Sequence, residues 1–258
     1  MRYSLISVDG AMIGLYHRSG YDEHQMHRVH SADHRRLKPL HANSSPVSSN
    51  QPQIHPRLPE IVQRHLRAPH RREVAAHNLT AYASLRESLL EKPRPLVLDS
   101  FCGTGHSTAA LAERHPEHLV VGIDKSAQRL AKHPYSIGGN YLLLRADCED
   151  IWQLLVHDGL RADFHYILYP NPWPKARHLQ RRVHGHASFP LLLQLGGALQ
   201  LRSNWRLYIE EFELAMQLSG HTGTMGKLPA STADLSLFER KYRKSGHELW
   251  VYTVNLRP

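Results

Sequence analysis

An α/β fold with a mostly parallel sheet and helices on both faces is predicted by three observations. A complete βαβ unit spans Leu96 to Asp124. Strand-like and helix-like stretches then alternate towards the C-terminus. Polar residues stand where the predicted strands end.

The βαβ unit opens with Leu96-Val97-Leu98 and closes its first strand on Asp99. A glycine turn follows, Cys102-Gly103-Thr104-Gly105, then a helical pattern from Ser107 to Arg114 and a second apolar run, Leu119 to Ile123, that ends on Asp124. Gly103 and Gly105 let the backbone approach a ligand where a Cβ would collide. The helix N-terminus behind them offers unpaired amides to that ligand. Gly105 precedes Asp124 by 19 residues, close to the roughly 20-residue spacing at which a carboxylate meets ribose hydroxyls. A nucleoside-bearing ligand follows from that spacing.

A chain of 258 residues accommodates one α/β domain plus an extension. Lys and Arg number 32 against 23 acidic residues, a formal charge of +9, which suits a polyanionic partner such as RNA or DNA. The two cysteines, Cys102 and Cys148, form neither a metal-ligand pair nor a disulfide framework and fit a reducing cytoplasm. The longest apolar stretch, Phe189 to Leu201, is interrupted by Gln194, two glycines and Gln200, too broken to cross a bilayer. Met1 to Gly20 lacks the basic-then-apolar order of a signal peptide.

Residues 1–52 are rich in His, Arg and Ser and are expected to be disordered. Met26 or a later codon is an alternative start there, and His24, His27, His30 and His34 are too irregularly spaced to predict a metal site. A helical extension is expected over 53–92: one helix from Leu58 to Leu66, a basic patch at His70 to Arg72, and a second helix from Val74 to Leu90. That second helix would present Leu79, Tyr82, Leu85, Leu89 and Leu90 to a core. The α/β domain would fill 93–258. Further strands are expected at 141–144, 164–168, 198–202 and 249–254, and helices at 127–132, 151–156, 189–195 and 205–218. Asp99, Asp124, Asp147 and Asn171 would then converge on the carboxyl rim, where ligands of such sheets sit.

After the strand at 164–168 the chain reads Tyr169-Pro170-Asn171-Pro172-Trp173-Pro174-Lys175-Ala176-Arg177-His178, then Arg181-Arg182. The segment resembles the signature F-P-D-P-W-x-K-x-R-H of the bacterial tRNA (guanine-N7)-methyltransferases. The likeness continues through Gly196-Gly197, Ser203-Asn204-Trp205 with Tyr208, and Ser236-Leu237-Phe238-Glu239-Arg240, so it covers about residues 95 to 255. It implies a class I S-adenosylmethionine-dependent methyltransferase fold acting on tRNA, with no metal. Asp99, Gly103 and Gly105 would face the methionine part of the cofactor, Asp124 its ribose and Asp147 its adenine. Asn171 would be the catalytic residue and would also contact the cofactor. Lys175, Asn204, Ser236, Phe238 and Glu239 would contact the substrate nucleotide.

The residues support the same picture on their own terms. Trp173 between two prolines is a stiff aromatic wall on which a base could stack, worth roughly 1–3 kcal/mol. Arg177, His178, Arg181 and Arg182 form a cationic loop suited to RNA phosphates. Arg240, Lys241, Arg243 and Lys244 form a second cluster. Asn171 and Asn204 stand where the family has aspartate. They keep a hydrogen-bonding carbonyl and lose a charge, which forfeits on the order of 1 kcal/mol, about tenfold in rate. Guanine N7 has a lone pair and no proton, so its methylation depends on orientation and needs no general base.

Three other readings compete: a methyltransferase for another base or a small molecule, an RNA-binding protein without turnover, and a nicotinamide-dependent dehydrogenase. Asn171-Pro172-Trp173 partly matches the N-P-P-[YFW] loop of amino-group methylases. For a dehydrogenase, Thr108 stands where the third glycine of G-x-G-x-x-G belongs. Monomer and homodimer are both compatible with the sequence.

Overall fold

The computed structural model describes residues 44–68, 70, 72–135 and 139–256, together with two paired strands, Ser7–Val8 and Ala11–Met12. The chain divides into two compact units, 1–39 and 40–258. Met26, the four early histidines and Arg71 of the basic patch lie outside the described residues.

In the second unit, seven strands make one sheet: β1 Leu96–Ser100, β2 Leu119–Asp124, β3 Tyr141–Arg145, β4 Phe164–Leu168, β5 Gly197–Ser203, β6 Thr224–Lys227 and β7 Trp250–Leu256. Their order is β3-β2-β1-β4-β5-β7-β6. All pairings are parallel except those of β7, which runs antiparallel to β5 and β6. Every residue of β1 and β2 is buried, as expected of parallel strands covered on both faces. The order reverses between β1 and β4, and ligands of such sheets bind outside the carboxyl ends of the strands at a switch point of this kind.

Among the described residues, eight helices accompany the sheet: α1 Leu58–Arg67, α2 Ala76–Glu91, α3 His106–Arg114, α4 Ala127–Leu130, α5 Cys148–His157, α6 Phe189–Leu195, α7 Arg206–Leu218 and α8 Leu237–Lys244. Side chains of α1, α2, α5, α6 and α7 pack into the larger core with Leu98, Val121 and Leu201. Leu111 and Ala112 of α3 join Leu235 and Leu249 against Val97, Val120 and Leu168 in a smaller one.

Three differences from expectation carry information. The apolar face of α2 is narrower than expected: Leu79 and Leu90 are exposed, and Asn78 is buried against α5. Asn78 donates to Asp150 at 2.6 Å and accepts from the Asp147 N–H at 3.1 Å, so both halves of its amide are satisfied. Second, α8 forms over the charge cluster, where no helix is expected, started by Ser236, whose Oγ accepts from the Glu239 N–H. Third, the expected disordered leader reached residue 52, yet 44–52 is placed on the second unit. Ser49 Oγ donates to the Pro174 carbonyl at 2.6 Å, and Gln51 is buried beside Glu211.

Candidate active site

The first part of the site comes from the end of β1. Asp99 is fully buried, and its Oδ2 accepts from Ser107 Oγ and Thr108 Oγ1, both at 2.7 Å, at the start of α3. Burial pushes its pKa up to about 6, the nearby Asp124 charge adds to this, and the two hydroxyls oppose it. Its Oδ1 is buried without a hydrogen-bond partner. Gly103 takes φ +64° and a Cβ there would meet nothing within 4 Å, so the loop is open at that point. Gly105 takes φ +73°, and a Cβ would stand 2.7 Å from Leu143 and 2.9 Å from His133. Conformation and packing both require glycine there.

Asp124 ends β2 and holds the glycine loop. Its Oδ2 accepts from the Gly103 N–H at 3.0 Å; its Oδ1 accepts from the Ser126 N–H at 2.8 Å and pairs with Arg129 at 2.9 Å. A carboxylate has about four acceptor positions, so capacity for a ribose hydroxyl remains. Asp147 precedes α5 half-exposed, positioned through its backbone by Asn78.

The second part comes from the end of β4. Among the described residues, the non-glycine residues with left-handed backbone are Phe101 (φ +63°), Tyr169 (+53°) and Trp173 (+45°), all following β1 or β4. Each costs on the order of 1–3 kcal/mol and persists only where its surroundings enforce it, as functional sites do. No feature of the sequence gave them away. Asn171 is exposed, and its Oδ1 accepts from the Trp173 N–H at 3.3 Å. The carbonyl expected to orient a base is therefore turned to the backbone, and the amide NH₂ is the free half.

A run of tight turns, Ala176–Arg181 and Val183–Gly185, carries the cationic loop. Lys175, Arg177 and Arg181 are exposed, and the Arg181 guanidinium covers the Trp173 ring at 4.7 Å. Arg182, expected to contact RNA, is wholly buried. It ion-pairs with Glu211 and donates to Gln51 at 3.0 Å and to the Trp173 carbonyl at 3.1 and 3.3 Å. It is a structural residue that holds Trp173 from beneath. Burial alone would push Glu211 up, but the His184 hydrogen bond and the Arg182 charge hold it well below the usual carboxylate range. Desolvation and the neighbouring Arg181, Arg177 and Lys175 push the His178 pKa down.

The third part is α8. Phe238 is exposed. Glu239, expected at the substrate, is fully buried, paired with Arg202 at 2.7 Å and with Arg243 at 3.6 Å. It anchors α8, and Ser236 caps that helix. Asn204, also expected at the substrate, bonds His247 Nδ1 at 3.1 Å. Arg243 pairs with Asp234 at 2.8 Å, which withdraws it from the second cationic cluster. Arg72 lies 3.8 Å from the buried Asp150.

Residues 93–251 match the family described as putative methyltransferase. The chain belongs to that family. Curated relatives named tRNA (guanine-N(7)-)-methyltransferase include one from Zymomonas mobilis, 28% identical over 67% of this chain and 80% of its own length. One from Sphingopyxis alaskensis is 29% identical over 62% and 74%, and one from Treponema pallidum (strain Nichols) is 31% identical over 61% and 67%. The crystal structure of the 16S rRNA methyltransferase KamB superposes with a TM-score of 0.51 at 19% identity, covering 72% of this chain and 96% of that one, and shows the shared fold.

This methyltransferase has the class I fold, and S-adenosylmethionine is its methyl donor. The residues present fit that donor: the unpartnered Asp99 Oδ1 suits an ammonium group, and the open Gly103 loop leaves space beside it. Among the described residues, no helix is long and apolar enough to cross a membrane, and no group of three or more His, Cys, Asp or Glu could hold a metal ion.

Proposed function

We propose that this methyltransferase modifies N7 of a guanine in tRNA. The observation that carries the reading is the turn at the switch point. There the free amide of Asn171 and the left-handed Trp173 lie directly ahead of the exposed cations Lys175, Arg177 and Arg181. The relatives' names supply the choice of base and RNA.

The chemistry asks little acid–base work of the protein. Bound S-adenosylmethionine supplies an electrophilic sulfonium methyl. Asp99, Asp124 and Asp147 hold the donor's polar groups. The Asn171 amide donates to an acceptor on the purine edge, such as guanine O6, and leaves the N7 lone pair free. Lys175, Arg177 and Arg181 hold phosphates and orient the nucleotide for in-line displacement.

The test is transfer of labelled methyl to tRNA lacking the modification, followed by nucleoside mass analysis and strand scission at 7-methylguanine. Label with scission at one guanine is expected. Label without scission would place the methyl on another atom, and donor binding with no label on any RNA would mean that turnover is lost.

A further inference from the structure

α8 and the turn that follows it carry an arrangement that the proposed function does not use. Phe238 and Tyr242, one turn apart on α8, have ring centroids 6.0 Å apart and planes within 25°. Tyr242 stacks in turn on His247, at 5.2 Å and 15°. Tyr169, at the end of β4, tilts against Tyr242 at 5.5 Å. The stack therefore abuts the chain two residues before Asn171.

His247 is fixed at the foot of this stack from every side. Gly246 takes φ +72° and its N–H donates to the Arg243 carbonyl at 2.9 Å, while the His247 N–H returns to the Tyr242 carbonyl at 3.0 Å. That pair of bonds closes the helix end and folds the imidazole onto Tyr242. Nε2 lies 2.7 Å from the Ser44 carbonyl, which can only accept, so Nε2 carries the proton. Nδ1 then accepts from the Asn204 amide at 3.1 Å. An aspartate at 204 could not donate that bond; asparagine can. Phe238, at the other end, is 45% exposed.

Resting on the RNA-methylating function above, we propose that His247 is a positioning residue. Locked by Asn204 and Ser44, it backs Tyr242 and so holds Phe238 as a stacking platform for the substrate base.

The experiment is a double-mutant cycle on affinity for unmodified tRNA, measured with S-adenosylhomocysteine present, alongside kcat and KM for methyl transfer. Phe238→Ala weakens RNA affinity about tenfold and leaves cofactor affinity unchanged. His247→Ala gives a smaller loss in the same direction, expressed in KM and not in kcat, and His247→Phe restores it. The double variant is no weaker than Phe238→Ala alone, because His247 acts only through Phe238. The ¹⁵N shifts of His247 report a protonated Nε2 and a bare Nδ1.

Additive losses, a fall in cofactor affinity, or a His247 protonated on Nδ1 alone would overturn the proposal. RNA binding without methyl transfer would overturn the assigned reaction while the cycle still decides the role of His247. Absence of RNA binding would overturn both.

Discussion

The two halves of the carboxyl rim use the same kinds of residue in opposite ways. On the cofactor side, each buried acid bonds groups of the one βαβ unit or of the turn and helix that follow it. Asp99 takes Ser107 and Thr108, eight and nine residues on, and Asp124 takes Gly103, Ser126 and Arg129. On the substrate side, local contacts are joined by remote ones: Arg182 meets Gln51 across 131 residues, Arg202 meets Glu239 across 37, and His247 meets Ser44 across 203. A site built from local contacts can be read from spacing. A site built from distant ones hides which of its charges are structural, as Arg182 and Glu239 do within an otherwise exposed cationic surface.

Substitutions can break that contrast. The largest effect is expected from Arg182→Ala, which takes the guanidinium from the buried Glu211 carboxylate and should destabilise the protein by about 3–5 kcal/mol in a denaturant melt. The neighbouring Arg181→Ala should change stability by less than about 0.5 kcal/mol.

Acid should separate the buried groups next. Burial alone lowers the His165 pKa to about 3 from an ordinary 6.5, so it folds neutral. Its contribution is complete above pH 6.5 and is lost as pH falls towards 3, at no more than about 1.4 kcal/mol per pH unit. Asp99, raised to about 6, acts in the opposite sense and relieves its cost as pH falls from 6 towards 3.8. A denaturant midpoint measured against pH should therefore decline less steeply below pH 6.5 for His165→Gln than for the unsubstituted protein.

On the cofactor side, Asp124→Ala should weaken S-adenosylmethionine binding about 10- to 100-fold by calorimetry, as loss of hydrogen bonds to a charged group implies. Unchanged affinity would remove Asp124 from the site. Asn171→Asp should lower turnover on tRNA by about tenfold, since a carboxylate accepts hydrogen bonds and cannot donate to the purine edge. Turnover preserved or raised would show that the amide does not donate to the base.

The smallest effects belong to the exposed cations. Arg177→Ala and Arg181→Ala should each lower the slope of log affinity against log salt by about one, with no change in cofactor binding.

The sequence by itself determined the parallel core, the strand-ending acids and the glycine loop. Those features follow from hydrophobic runs, chain reversals and spacing, which act over a few residues. It also located the segment 169–182. Only the tertiary structure decided which of that segment's cations face water, because burial of Arg182 depends on Gln51 and Glu211 converging from elsewhere. Likewise only the folded chain turned Asn204 to His247 and the carbonyl of Asn171 to Trp173. A polar side chain's role is set by the partner that reaches it first, and those partners come from parts of the chain that spacing does not relate.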